Sequence, residues 1–237
     1  MRELIKLLLV VGIVLGIFLF RDTTNDRDIV LKLYNNTFKL INSNGQSGGT
    51  GFFVKTKFGI YALTNEHVCG DDFVMRGVGN GFEDNFMVVR ADYKSDLCLL
   101  TNPKFLHSTS YGIELADMVK EMERITSLGF SYLRAPNPRH GYIAGTGEET
   151  AGYAPFDGRC KDLEAPKIIE GMFGPMVVCT TTYDVFYTTI EAHPGNSGSP
   201  VVNDRGELVA VVNMLDTNTN YALLVPLLKV KLFLEGM

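Results

Sequence analysis

Short apolar runs, interrupted by glycine, asparagine or aspartate, recur along the chain from about residue 29 onward. The segments "GIYALTNEHV", "NFMVVRADY", "DLCLLT" and "NYALLVP" have the length and the β-branched or aromatic content typical of strands. In "PVVNDRGELVAVVNM", two valine-rich runs flank a polar turn and predict a hairpin. Roughly a dozen such strands predict an all-β chain of two packed barrels, divided near residues 103–122.

The N-terminus breaks this pattern, because the run from Leu7 to Phe20 is apolar and uncharged. As a helix it would cover ~21 Å of a ~30 Å hydrocarbon core. Counting from Leu4, with Lys6 and Arg21 directed outward, brings it close to a full span. An uncleaved anchor is the favoured interpretation, because no convincing small-residue cleavage site follows; a cleaved secretion signal and a buried core segment are the alternatives.

Charge around this run predicts its orientation. Arg2 and Lys6 precede it, whereas the following "RDTTNDRD" is slightly acidic. The positive-inside rule therefore places the N-terminus in the cytoplasm and the rest of the chain outside. We expect a membrane-anchored protein, held through residues 4–20, with its main domain on the periplasmic or extracellular side.

The pattern as a whole predicts three segments. "LLKVKLFLEGM" begins directly after Pro226 and predicts a short C-terminal helix, since proline is favoured where helices begin. The predicted boundaries are an anchor or signal segment at 1–22, a polar tether at 23–34, and a β-domain at 35–237, with barrel 1 at about 35–110 and barrel 2 at about 120–230.

Composition narrows the classes of partner. The 237 residues include 27 acidic and 22 basic side chains, a net charge of −5, and no basic stripe. Nucleic acid is therefore not expected as a partner. No metal-ligating or cofactor motif stands out, and we expect neither a metal nor a cofactor.

The four cysteines, Cys69, Cys98, Cys160 and Cys179, allow three pairings. Buried free thiols are the simplest interpretation, especially for Cys98 within the apolar "DLCLL". Among the disulfides, the pair Cys160 with Cys179 is the first to test, because both lie outside the strongest strand patterns.

The segment "EAHPGNSGSPVV", residues 191–202, raises the question of chemistry. Glycine, proline, asparagine and serine are common turn residues, so Ser197 is explained by a tight turn alone. A nucleophilic serine needs more: a base for its proton, a carboxylate to orient that base, and N–H donors for the oxyanion. The rest of the chain must supply these partners.

His67 is the candidate base among four histidines. It follows the strand "GIYALTNE" directly, so a rigid element fixes its position. His107 and His140 lie in loop-like segments and are expected to be solvated. His193 shares a turn with Ser197 and is expected to line the pocket wall.

Asp96, in "YKSDLCLL", is the candidate carboxylate. It is preferred over Asp92 because it abuts an apolar run, where a buried carboxylate can be held beside an imidazole. The backbone N–H groups of Gly195 and Ser197 would form the oxyanion hole. Glycine at position 195 permits a backbone conformation that a Cβ would penalise.

The order His67, Asp96, Ser197, with "TNEHV", "SDLCLL" and "GNSGSP", resembles the trypsin-like serine peptidases of the chymotrypsin fold over about residues 35–230. The resemblance is to the bacterial Deg-type proteases and glutamyl endopeptidases among them, and a PDZ module after the peptidase segment is not expected. The resemblance implies two six-stranded antiparallel barrels. Asn196 stands where digestive members carry an aspartate that pairs with a new N-terminus, so activation by that trimming is not expected.

The resemblance also implies a substrate pocket whose wall includes the strand "AVVNM". Its candidate residues are Glu191, Ala192, His193, Val212, Asn213 and Met214. Val212 replaces the histidine of glutamyl endopeptidases, so a glutamate preference is not expected. Glu191 falls where trypsin carries its acidic pocket residue. Pointing inward it would favour basic P1 residues; pointing outward it would leave Ala192, Val212 and Met214 to favour small or medium apolar ones, the preferred alternative because an unpaired buried carboxylate is costly.

The leading hypothesis is a membrane-anchored serine endopeptidase that acts on protein or peptide substrates through an acyl-enzyme. Two alternatives remain open at this point. One is a catalytically silent binding protein on the same fold, and the other is a processing protease of narrow specificity.

Overall fold

The structure, a computed structural model, describes residues 26–45, 48–153, 167–171, 174–216 and 219–237. The anchor or signal segment predicted at residues 1–22 lies outside these residues. Within them, no helix has both the length and the apolar character that crossing a bilayer requires.

Helices in the described residues are short. They are α1 (residues 26–36), α2 (Glu66–Cys69) and α3 (Leu227–Glu235), with one 3-10 turn at Ser131–Leu133. The predicted C-terminal helix is confirmed as α3, which follows Pro226 directly. The tether predicted at 23–34 is helical from residue 26, because Ile29 and Leu33, four residues apart, form an apolar stripe that packs into the core.

Barrel 1 consists of six antiparallel strands and closes on itself in the order β1-β2-β3-β6-β5-β4. The strands are β1 (Thr37–Ile41), β2 (Gly48–Thr56), β3 (Gly59–Thr64), β4 (Val74–Gly79), β5 (Phe82–Asp92) and β6 (Leu97–Thr101). Its interior is aromatic: Phe38 stacks on Phe86 with ring centroids 4.9 Å apart, and Phe53 lies 4.8 Å from both Phe38 and Phe105.

Barrel 2 also has six antiparallel strands, in the order β13-β12-β11-β7-β8-β10, and closes through pairing of β10 with β13. The strands are β7 (Arg124–Gly129), β8 (Asn137–Tyr153), β10 (Gly174–Glu191), β11 (Pro200–Asn203), β12 (Leu208–Leu215) and β13 (Tyr221–Pro226), and β9 (Lys167–Gly171) pairs with the first half of β10. The prediction of two six-stranded barrels is confirmed, and the predicted boundary falls between Thr101 and Arg124.

An apolar cluster at the junction joins the two barrels. It takes Phe52 and Leu63 from barrel 1 and Val202 and Val211 from barrel 2. Helices α1 and α3 cover it with buried side chains that include Leu33. The two barrels are therefore joined by a continuous packed core.

Candidate active site

His67 and Asp96 meet at one end of barrel 1. His67 lies in α2, immediately after β3, and Asp96 immediately precedes β6. The Asp96 Oδ2 atom lies 2.7 Å from His67 Nδ1, and its Oδ1 atom accepts the His67 backbone N–H at 3.0 Å. Because a carboxylate only accepts, Nδ1 carries the proton, and Nε2 on the other side of the ring is left with a lone pair. A histidine in this tautomer can act as a base.

The backbone around Asp96 is held in an uncommon conformation. Its φ of +49° lies in the left-handed region, and the side chain is buried. The Asn65 side-chain amide donates to the Asp96 carbonyl oxygen at 2.9 Å and holds this turn. Asp92, the competing carboxylate, instead accepts the backbone N–H and hydroxyl of Ser95, the latter at 2.5 Å. Asp92 therefore stabilises the turn that presents Asp96.

A disulfide joins the two segments that carry this pair. Cys69, two residues after His67, is bonded to Cys98, two residues after Asp96, with Cα atoms 6.6 Å apart. The interpretation of Cys98 as a buried free thiol is therefore wrong. Its side chain is buried, but it is bonded to Cys69, which the pairing of β3 with β6 brings close. Cys160 and the side chain of Cys179 lie outside the described residues, so that pairing stays a prediction.

Ser197 lies in the loop between β10 and β11, residues 192–199. Gly195 has a φ of +93°, and a Cβ there would collide with the Phe130 carbonyl oxygen, so only glycine fits. Asn196 shapes the loop in two ways: its backbone N–H donates to the His193 carbonyl at 3.0 Å, and its side-chain Oδ1 accepts the His193 N–H at 2.9 Å. The serine thus sits on a tightly closed turn.

Two N–H groups of this turn take no part in the hydrogen bonds that close it in the described part of the chain. Among the described residues, no atom accepts the backbone N–H of Gly195 or of Ser197. The Pro194 carbonyl oxygen accepts the Tyr132 N–H at 2.6 Å. Because the C=O and N–H of a trans peptide point in opposite directions, this bond turns the Gly195 N–H away from Tyr132. The turn can therefore offer two donors to an oxyanion.

Barrel 1 holds the Ser197 loop close to His67. The Thr50 backbone N–H, on β2, donates to the Ser197 carbonyl oxygen at 2.9 Å. A Cβ on the neighbouring Gly49 would lie 2.7 Å from a Val68 methyl carbon and 2.8 Å from the Ser197 carbonyl oxygen. Val68 is the next residue after His67, so glycine at position 49 leaves room for the serine loop and the histidine helix to lie close together against β2.

Glu191, the last residue of β10, turns outward. Its side chain is 58% exposed and forms an ion pair with Arg139, 3.2 Å away. Of the other candidate pocket residues, Ala192, Val212 and Asn213 are buried, Met214 is half-buried, and His193 is half-buried with its ring stacked 5.8 Å from that of Tyr132. The carboxylate is paired with a cation at the surface rather than buried.

Val212 borders the serine loop directly. Its carbonyl oxygen accepts the Gly198 N–H and its N–H donates to the Ser199 carbonyl oxygen, both at 2.9 Å. The strand "AVVNM" therefore runs alongside the loop that carries Ser197, as a wall of the cleft would.

The remaining histidines lie elsewhere. His107 is exposed, and His140 is exposed on β8 with its Nδ1 atom 3.0 Å from the Thr126 hydroxyl. In the described ranges, no group of three or more histidine, cysteine or acidic side chains is arranged to hold a metal ion.

Three residues that shape this site were missed in the sequence: Thr50, Tyr132 and Arg139. Thr50 carries a weak signal, because it lies in "GGTGF", where flanking glycines indicate a close approach of another backbone. The roles of Tyr132 and Arg139 depend on contacts across barrel 2, which no local pattern in the sequence reveals.

Comparisons with known proteins agree with this geometry. The family model of the trypsin-like peptidase domain matches residues 49–211. No curated protein has a significantly similar sequence. Among solved structures, the active form of the Rv3671c protease from M. tuberculosis shares 17% identity over 86% of this chain and 81% of its own, with a TM-score of 0.66.

Two further structures show the same fold. The serine endoprotease from Yersinia pestis has 18% identity over 89% of this chain and a TM-score of 0.65. The HtrA-type protease AlgW, solved with a tripeptide, has 20% identity over 88% of this chain and a TM-score of 0.63. The matched regions cover 65% and 61% of those longer chains.

Proposed function

This chain belongs to the trypsin-like peptidase family and is a serine endopeptidase, and we propose that Ser197, His67 and Asp96 form its catalytic triad. The observation that carries the proposal is the 2.7 Å contact between His67 Nδ1 and Asp96 Oδ2, which leaves Nε2 as the base. The attachment of the Ser197 loop to β2, beside the histidine helix, supports Ser197 as its partner.

In the proposed reaction, Ser197 Oγ attacks the carbonyl carbon of the peptide bond while His67 Nε2 takes the hydroxyl proton. The N–H groups of Gly195 and Ser197 bind the oxyanion, and Asp96 stabilises the charged imidazole. His67 then protonates the leaving amine, and the acyl-enzyme forms. Water, activated by the same imidazole, releases the acid product and restores the serine.

We infer a preference for small or medium apolar P1 residues. The ion pair with Arg139 keeps the Glu191 carboxylate at the surface, and Glu191 is the one acidic side chain among the candidate pocket residues, so these residues would not attract a basic P1 side chain. Ala192, Val212 and Met214 would then supply an apolar lining beside the serine loop.

We further propose that the peptidase domain works on the outer side of a membrane, anchored through residues 4–20. The apolar run and its flanking charges are one support. The Cys69–Cys98 disulfide is another, because such bonds persist in oxidising compartments outside the cytoplasm.

A fluorophosphonate probe tests the nucleophile on the full chain. Wild type and Ser199→Ala should be labelled, and Ser197→Ala should not. Ser199 is a matched control, since it lies in the same turn, and its Oγ atom has no hydrogen-bond partner in the described part of the chain. Equal labelling of wild type and Ser197→Ala would overturn the assignment. A folded wild type that is neither labelled nor active on casein would instead indicate a silent binding protein.

A peptide library with varied P1 residues tests the pocket and the width of specificity. Apolar P1 residues should be preferred, and Glu191→Gln should leave the profile unchanged. A preference for basic P1 residues that disappears in Glu191→Gln would show that the Glu191 carboxylate binds the P1 side chain. One sharp motif would favour a processing protease, and broad apolar cleavage a general one.

A further inference from the structure

Thr50 connects the two barrels at the site through its side chain. It lies on β2 of barrel 1 and is fully buried. Its hydroxyl makes two hydrogen bonds, both to barrel 2: it accepts the Phe130 N–H at 3.0 Å and donates to the Gly195 carbonyl oxygen at 2.8 Å. Its backbone N–H also binds the Ser197 carbonyl.

Two hydrogen bonds hold the peptide planes that flank the Gly195 α-carbon, and Thr50 makes one of them. The plane before it is held by the bond from Tyr132 N–H to the Pro194 carbonyl. The plane after it is held by the Thr50 hydroxyl on the Gly195 carbonyl. Because glycine has little conformational preference of its own, these two anchors set the direction of its N–H.

The two anchors are themselves linked. Phe130 begins the short segment that contains Tyr132, and the Leu133 N–H donates back to the Phe130 carbonyl at 2.8 Å. Tyr132 and Leu133 both have positive φ values, 53° and 54°, an unfavourable conformation for side chains of this size. The Thr50 hydroxyl holds this strained segment by the Phe130 N–H, so one buried hydroxyl supports both anchors.

We propose that Thr50 is a positioning residue for the oxyanion hole: its hydroxyl fixes the direction of the Gly195 N–H from the opposite barrel. The inference rests on the proposed function, in which that N–H binds the oxyanion. Thr50 acts through Gly195 and touches no reacting atom.

Thr50→Val removes the hydroxyl and keeps the shape of the side chain. The Phe130 N–H and the Gly195 carbonyl then lack their buried partner, so the turn has reason to rearrange. Loss of one oxyanion donor typically lowers kcat by about 10²- to 10³-fold, and we expect a decrease of about 10²-fold. KM should change less than about threefold, because the N–H acts mainly on the transition state. The pH profile of kcat/KM should keep its midpoint, because His67 and Asp96 are untouched.

Thr188→Val is the matched control. Thr188 is buried on β10, and its hydroxyl likewise donates to a carbonyl, that of Ala222 at 2.9 Å, and accepts an N–H, that of Ile190 at 3.2 Å. Both variants lose the same two kinds of bond and should lose similar stability. Only Thr50→Val should lose kcat, and Thr50→Ser, which keeps the hydroxyl, should restore it to within about threefold of wild type.

The experiment measures kcat, KM and thermal unfolding of the full chain with a chromogenic peptide amide that has alanine at P1. A peptide aldehyde, which forms the oxyanion, should bind Thr50→Val about 10²-fold more weakly. Equal kcat for Thr50→Val and Thr188→Val, or no rescue by Thr50→Ser, would overturn the inference. If Thr50→Val fails to fold while Thr188→Val folds, Thr50→Ala is compared with Thr50→Ser; if Thr50→Ala also fails to fold, the role is structural and the inference is wrong. Wild type without turnover would refute the proposed function instead.

Discussion

The two halves of the candidate site are built in different ways. The histidine–carboxylate half is contained in barrel 1: His67 and Asp96 contact each other directly, and a disulfide joins their segments. The serine half is carried by barrel 2, yet Thr50 of barrel 1 makes two hydrogen bonds to the Ser197 loop and a third to the neighbouring Phe130. The candidate base is therefore oriented within barrel 1, whereas the candidate nucleophile and oxyanion donors depend on contact between the barrels.

The interiors of the two barrels also differ, in the size and type of their side chains. Barrel 1 is filled by rings in mutual contact, those of Phe38, Phe53, Phe82, Phe86, Phe105 and Tyr111. Barrel 2 has a smaller, aliphatic lining, with buried residues such as Ala192, Val212 and Ala222. Rings in stacked, tilted and edge-to-face contact fill barrel 1, whereas the smaller side chains of barrel 2 include the proposed pocket residues Ala192 and Val212.

Asp96→Asn should disable the histidine–carboxylate half of the site, and we expect it to have the largest effect on activity. Asparagine tolerates the left-handed backbone at this position, so the turn should survive. Its amide cannot hold the imidazole in the tautomer that leaves Nε2 unprotonated, and kcat should decrease by about 10⁴-fold. Steady-state kinetics at neutral pH measure this. A decrease below about tenfold would show that the carboxylate does not orient the base.

Removal of the disulfide that joins the His67 and Asp96 segments should have the second-largest effect, on stability and on activity. The bond closes a loop across 29 positions, and the double variant Cys69→Ala/Cys98→Ala should lose about 3–4 kcal/mol of unfolding free energy in the chain-entropy view. Activity should decrease as well, because the bond ties α2 to β6. Urea denaturation with and without a reductant measures the effect. Wild-type stability that does not respond to reductant would contradict the prediction.

The disulfide also shows where sequence interpretation stops. Each bonded cysteine stands two residues after a triad candidate, so the proximity of His67 and Asp96 already implies that of Cys69 and Cys98. That signal becomes visible only when the triad is taken as a set of distances rather than as separate motifs. The apolar setting of Cys98 pointed to burial, which is correct, but burial does not reveal a partner.

The same limit applies to elements of the fold. Strands β5, β6, β12 and β13 follow from their apolar patterns, as does helix α3 after Pro226. β4, "VMRGVG", was not predicted, because two glycines and an arginine disfavour a strand that only pairing with β1 and β5 stabilises. The outward direction of Glu191 was preferred on the cost of burial, but its partner Arg139 stands on another strand and has no local signal.

Lys39→Met tests a second contact through which the serine half depends on barrel 1. The Lys39 Nζ atom, on β1, donates to the Leu133 carbonyl oxygen at 3.1 Å, in the segment that anchors Pro194. Loss of one partly buried charged hydrogen bond should lower kcat by about 2- to 10-fold. Lys32→Met is the control, because Lys32 donates similarly to the Gly206 carbonyl at 2.8 Å, in the hairpin between β11 and β12. Equal kcat in the two variants would contradict this link.

Asp26→Asn should give the smallest effect, on the attachment of α1 to barrel 2. Asp26 is 2.6 Å from the Arg124 guanidinium on β7, and a hydrogen bond from that group holds the pKa of the Asp26 carboxyl below its usual range. A carboxyl whose pKa is lowered by folding stabilises the protein above its unfolded pKa, near 4, and loses that contribution as pH falls through the folded value. Both side chains are about one-third exposed, so the variant should lose only about 0.3–1 kcal/mol at pH 7.

The pH dependence is what identifies this ion pair. In urea denaturation, the difference between wild type and Asp26→Asn should shrink as pH falls from about 5 toward 2, because protonated Asp26 no longer attracts Arg124. Asp84→Asn serves as the control: its partner Lys104 also lowers the Asp84 pKa, but the pair lies within barrel 1. Neither variant should change kcat. A stability difference for Asp26→Asn that persists in acid would assign the effect to helix packing, and the attachment of α1 would then rest on its other contacts, which include buried Ile29 and Leu33 and the Lys32 hydrogen bond to Gly206.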